Sequence, residues 1–141
     1  MIDISDKNDV NREATASGEI ILQKETLDAI KNMLVDKGDP LTISELAGIT
    51  GSKLTQFLIT LAHPVPIDST IINSEIFDDR IRMTSTVKSI GKTGVEMEAL
   101  TSVTVALLNL WDTVKSHEKD ENGQYPFAKI TNISVIKKVK N

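Results

Sequence analysis

An α+β fold, with an antiparallel sheet and helices packed on one face, follows from three features of the sequence. Strand-like and helix-like periodic segments alternate in the order strand, helix, helix segment, hairpin, helix, strand. Two of the strands are joined by the tight Asp78-Asp79 turn. The longest periodic run, residues 95–117, carries one apolar stripe suited to lie across a sheet. At 141 residues the chain is long enough for one core and short for two ordinary domains.

Taken in order, residues 1–18 are polar and charged, with scattered Gly, Asn and Asp, and read as an N-terminal arm that partner contacts could order. A single domain is expected over 19–141, opening with a short strand at 19–22. Residues 24–36 are an amphipathic helix with Leu27, Ile30, Leu34 and Val35 on one side, ended by Gly38. Residues 43–59 are again helical by period, but Gly48 and Gly51 imply either a close packing contact or a break between two short helices. His63-Pro64-Val65-Pro66 must be extended, because each proline restricts its predecessor. Strands follow at 67–77 and 80–90, the second with Ile81, Met83 and Val87 on one face and Arg82, Thr84, Thr86 and Lys88 on the other. Helix 95–117 buries Leu100, Val103, Leu107, Leu110, Trp111 and Val114, and a last strand spans 130–139. This succession is ferredoxin-like.

Composition narrows the functions. There is no Cys, which removes disulfides and thiolate chemistry. No apolar run reaches membrane-spanning length, and the N-terminus lacks the basic start and apolar core of a signal peptide. A cytoplasmic protein with no membrane partner is expected. The formal net charge of -4 argues against nucleic acid as a partner, while local cations could still hold a phosphorylated small molecule. Residues 42–58 do resemble a helix-turn-helix, which would make a DNA-binding regulator. That segment offers only Lys53 as a cation, and prolines follow it instead of a third helix.

Two local patterns carry chemistry. In Gly91-Lys92-Thr93-Gly94-Val95-Glu96-Met97-Glu98, Thr93 and Glu96 have the spacing of a capping box, so Glu96 reads first as part of a helix cap. The run is no phosphate loop, because Thr86 stands where the first glycine of that motif belongs. Asp112 and Lys115 form the second pattern. They project roughly 60° apart on a helix, in a sector shared with Met97, Val105 and Leu108 rather than on the polar side of Ser102, Asn109, Thr113 and Ser116. A charge pair in an apolar sector is a buried ion pair or a functional site. Lys37 has a simpler reading, a cation beside a helix end just before its terminating glycine.

The run 91–101, together with Ile2-Asp3-Ile4-Ser5, Arg12-Glu13-Ala14, Lys37-Gly38-Asp39, Ala47-Gly48-Ile49, Ser52-Lys53 with Thr55, His63-Pro64, and Asp112 with Lys115, resembles molybdenum cofactor biosynthesis protein C, the cyclic pyranopterin monophosphate synthase family. The matches keep the family's order and nearly its spacing across the chain. The resemblance implies a ferredoxin-like subunit that converts a nucleotide-derived small molecule, 3',8-cyclo-7,8-dihydro-GTP, to cyclic pyranopterin monophosphate with release of pyrophosphate. It implies catalytic roles for Asp112, Lys115 and Lys37, and substrate binding by Lys53, His63, Glu96, Met97, Glu98, Arg12 and Lys138. Lys37 or Lys115 would supply a proton, while Asp112 orients or deprotonates. No cofactor is required, although magnesium could accompany the triphosphate. No metal site is expected, since neither His63 nor His117 has a second ligand at metal spacing. The family forms homo-oligomers, hexamers built from dimers with sites at subunit interfaces. Lys37, Lys53 and His63 from one chain could then meet Asp112 and Lys115 from another.

The sequence departs from the family in three places. Ala62 stands for a common cysteine before His63, and Leu54 stands for an arginine after Lys53. The glycine-rich basic tail is replaced by Lys137-Lys138-Val139-Lys140-Asn141. Lys138 matches the tail lysine best, with Lys137 as the alternative on the other strand face.

Overall fold

The computed structural model describes residues 1–141. Along the chain run β1 (Val10–Ile21), α1 (Lys24–Lys31), α2 (Pro40–Leu58), β2 (Ser69–Ile76), β3 (Arg80–Gly91), α3 (Glu96–Glu118) and β4 (Lys129–Lys140). The strands form one sheet in the order β2-β3-β1-β4, with every pairing antiparallel. With α3 lying on β1, β3 and β4, and α2 packed on α3 and β2, this is a ferredoxin-like α+β fold with one additional short helix. The core is a cluster of 19 buried apolar residues between sheet and helices. Ile81, Met83 and Val87 of β3 face it, as their alternation predicts.

The largest correction concerns the N-terminus. Residues 10–18, read above as arm, belong to β1, which is flanked on both sides by strands. Its helix-side residues are Ala14, Ala16, Gly18 and Ile20, and its open-side residues are Glu13, Thr15, Ser17 and Glu19, so it lacks the β-branched apolar run that marks a central strand. Small residues are needed there because α3 comes close. A Cβ on Gly18 would lie 2.7 Å from Leu107 Cδ1.

α1 ends at Lys31, five residues short of expectation, because Met33 takes a positive φ of 56° and reverses the chain. Leu34 is therefore exposed while Val35 returns to the core. Gly38, with φ 121°, is not the terminator of α1 but the lead-in to α2, whose N-cap Asp39 accepts from the Leu41 amide and the Thr42 hydroxyl. Lys37 is thereby released from α1. α2 is one continuous helix through both glycines, so there is no turn for a helix-turn-helix and that reading falls. The glycines serve contact instead. A Cβ on Gly48 would sit 2.3 Å from Ile72 Cδ1 and 3.0 Å from the Ser102 carbonyl, and one on Gly51 would meet Val105.

Two expectations about α3 also change. Its N-cap is Val95 with no side-chain cap bond, so Thr93 and Glu96 are not a capping box. Its supposed polar side is partly buried: Ser102 bonds Ser85 at 2.7 Å, and Thr113 turns its hydroxyl onto the Asn109 carbonyl. Short hydroxyl side chains satisfied locally can face a core, which polarity alone does not reveal.

Candidate active site

The charged residues singled out in the sequence collect at the two ends of α3. At its N-terminal end lies a cavity of about 690 Å³ lined by Arg12, Glu96, Met97 and Lys138, together with Lys7, Lys92 and Lys140. The strand registers explain the convergence. Arg12 pairs with Lys140 and Ala14 with Lys138, so all three long cations point to the helix side of the sheet, where α3 begins. Lys137 points to the other face and reaches Glu13 at 3.6 Å. Of the two tail lysines, Lys138 therefore faces the site, in an ion pair with Glu96. Burial pulls the Glu96 carboxyl upward, but the Lys138 ammonium, with Arg12, holds it below its ordinary value. The Arg12 guanidinium donates to the carbonyls of Gly91 and Lys92, both at 3.2 Å, which fixes the turn between β3 and α3.

Met97, Thr93 and Gly94 also line a smaller hollow of about 170 Å³ with His63 and Glu98. Glu98 is 3% exposed, and burial, aided by the nearby Glu96 charge, pushes its carboxyl up. His63 Nε2 donates to the Ile2 carbonyl at 2.6 Å, and Lys92 Nζ donates to the Ser5 carbonyl at 2.9 Å, so the first residues of the chain lie against this end. Lys53 lines a third hollow, about 340 Å³, that shares Val65 with the second.

At the other end of α3, Asp112 joins Lys37 at 2.8 Å and Lys115 at 2.9 Å. Lys37 Nζ also donates to the Asp112 carbonyl at 3.0 Å. The pair is not buried, contrary to one expectation: Asp112 is 58% exposed and Lys115 42%. Hydrogen bonds from Lys37 first and Lys115 second lower the Asp112 carboxyl to about 2, and Asp112 in turn raises Lys115. The geometry shows Asp112 holding two ammonium groups at once.

The structure brings Arg12, His63, Glu96, Met97, Glu98 and Lys138 to one end, with Lys53 beside them, and Lys37, Asp112 and Lys115 to the other. Grouping Lys37 with Lys53 and His63, as sequence order suggested, is corrected by the direct Lys37–Asp112 contact. Glu96 and Asp112 are sixteen residues apart on one straight element, or about 24 Å. The cavity lysines Lys7, Lys92 and Lys140 were missed in the sequence. Lys140 is two positions from Lys138 on a strand, so period-two alternation was the signal for it.

The sequence matches the MoaC family over residues 1–141. It is 51% identical over 140 residues to a "probable cyclic pyranopterin monophosphate synthase" of Sulfurisphaera tokodaii, covering 99% of this chain and 93% of that protein. A protein of the same name from Sulfolobus acidocaldarius is 45% identical over 141 residues, covering 100% and 99%. A "probable cyclic pyranopterin monophosphate synthase accessory protein" from Methanothermobacter thermautotrophicus is 47% identical over 140 residues, covering 99% and 88%.

Proposed function

The chain belongs to the MoaC family, and we propose that it acts in molybdenum cofactor biosynthesis as a cyclic pyranopterin monophosphate synthase, converting 3',8-cyclo-7,8-dihydro-GTP to cyclic pyranopterin monophosphate and pyrophosphate. The observation that carries this reading is the cavity at the start of α3, where Lys7, Arg12, Lys92, Lys138 and Lys140 surround Glu96. Five cations in one cavity of an acidic chain suit a triphosphate, whose charge grows on the departing pyrophosphate. Glu98, the one carboxyl here that burial pushes up, is suited to carry a proton to or from the purine-derived rings. Lys37 and Lys115, oriented by Asp112, supply positive charge and protons to leaving oxygens.

The two charge groups are too far apart on α3 for one chain to press both on one substrate. We assign the complete site to an interface in a homo-oligomer, a hexamer built from dimers, in which the cavity of one chain meets Lys37, Asp112 and Lys115 of another. Exposed Leu46, Phe57 and Leu58 of α2, Leu61 after it and Leu108 of α3 offer apolar surface for that contact. Any magnesium would enter on the triphosphate, since no three His, Asp or Glu side chains converge. No helix is long and apolar enough to cross a membrane, and a cytoplasmic location is part of this proposal. Incubation with the cyclic intermediate should release pyrophosphate and form the pterin product together. Absence of both from folded oligomer would overturn the assignment.

A further inference from the structure

Beyond the charged groups already described, α3 ends in a buried acid with no evident place in the chemistry. Glu118 is the last residue of α3 and is 1% exposed. No cation pairs with it, and its Oε1 has no hydrogen-bond partner. Its Oε2 accepts from the Gln23 amide at 3.0 Å and from the Thr26 hydroxyl. Gln23 is the N-cap of α1, yet its own side chain makes no cap bond. Glu118 thus supplies from another helix the cap acceptor that Gln23 does not, while Glu25 is the acid within the first turn of α1 itself. Burying a carboxylate with one oxygen unpaired is costly compared with a Ser or Asp at the cap itself, so the arrangement calls for a purpose other than capping.

The purpose lies fourteen residues further on. The segment from Gln23 to Lys37 touches α3 at both ends, through Glu118 at its start and through Lys37 on Asp112 at its finish. Between them α1 buries Leu27 and Ile30, and the chain then passes through a hydrogen-bonded reversal, Asn32 amide to Asp28, Leu34 amide to Ala29 and Gly38 amide to Val35. The segment is thus anchored to α3 at both ends and hydrogen-bonded between them. Lys37 is half exposed and its ammonium bonds Asp112 twice, at the carboxylate and at the carbonyl, so whether that contact forms depends on where the backbone at residue 37 lies relative to α3.

We infer that Glu118 is a positioning residue, which by tying the first turn of α1 to the end of α3 sets Lys37 against Asp112 and Lys115. The inference rests on the proposed synthase role only for its kinetic effect, because the Lys37–Asp112 geometry can be read without substrate. Glu118→Ala should lower kcat by roughly tenfold to a hundredfold, the scale of a small misplacement of a catalytic group. The same substitution in a Lys37→Ala background should cause no further loss. Carbon-13 titration of the Asp112 carboxyl gives the independent readout. Its midpoint, about 2 in the parent, should move up toward 3.8 in Glu118→Ala as the Lys37 bond loosens. Glu118→Gln, which keeps an acceptor for Gln23 and Thr26, should restore both. If Glu118→Ala does not fold, Thr26→Val removes one donor and should shift the titration in the same direction by less. An unchanged Asp112 midpoint in a folded variant with a lowered melting temperature would make Glu118 purely structural and overturn the inference. So would an equal fall in kcat with and without Lys37. Inactivity of the parent toward the cyclic intermediate would overturn the synthase reading while leaving the titration to decide this one.

Discussion

The start of α3 presents Glu98 at 3% exposure beside a walled cavity, whereas six residues before its end Asp112 stands 58% exposed with two lysines and no walls. The two carboxyls shift in opposite directions for different reasons. Burial lifts the Glu98 carboxyl, while direct ammonium contacts depress that of Asp112. The walled end gathers its cations around a cavity. The open end offers charge without enclosure, in water that screens it, and gains chemical force only when another surface covers it. On the proposed interface reading, one helix carries two half-sites, each incomplete for a different reason.

The largest expected effect comes from removing the open half-site. Asp112→Asn should lower turnover by roughly a hundredfold or more, with little change in melting temperature because the group is exposed and its ion pairs are worth little to folding. An unfolded variant that kept its activity per native molecule would make the cluster structural. Mixing sharpens the test. Inactive Asp112→Asn and Lys138→Ala chains should regain activity after subunit exchange, since one interface then joins two intact halves. Asp112→Asn mixed with Lys37→Ala should stay inactive, because both lesions fall in the same half. The reverse pattern in mixed oligomers verified by mass would break the two-half picture.

A smaller loss is expected in the walled half from Gly94→Ala. The new Cβ would fall 1.9 Å from Glu96 Oε2, forcing the carboxylate away from Lys138. A side-chain end can move, so the fold should survive while KM rises roughly tenfold, the value of one charge-assisted hydrogen bond. An unchanged KM would show that the Glu96–Lys138 pair does not contact substrate.

Glu98→Gln tests the solvation argument through stability. The folded carboxyl lies above its ordinary 4.5, so the native state holds the proton more tightly than the unfolded chain. Its burden is absent at low pH and grows as pH rises from about 4.5 through the raised folded value. The melting temperature of Glu98→Gln relative to the parent should therefore improve from pH 4 to pH 7. A constant difference would refute burial as the cause. The smallest effect is expected for Thr93→Ala, within about 0.5 kcal/mol of the parent, because Thr93 does not cap α3. A loss near 1 kcal/mol, typical of an N-cap, would restore the capping box.

Much of this could be read from the chain alone. Periodicity located α3, the β2–β3 hairpin and β4 to within two residues, since those segments carry strong apolar patterns whose burial dominates folding. Motifs placed Glu96, Glu98, Asp112 and Lys115 on the helix where they stand. Only the tertiary structure decided what those positions mean. The first part of β1, up to Gly18, was hidden because its inward residues Ala14, Ala16 and Gly18 are small, as the close approach of α3 at Gly18 requires, and carry no strand signal. The positive φ at Met33 released Lys37 to Asp112, and strand register, not spacing, turned Lys138 toward Glu96 and Lys137 away from it. Local sequence sets which segments are helix or strand, because each pattern buries one face. Which charges meet depends on packing distances between segments far apart in the chain, and no local pattern encodes those.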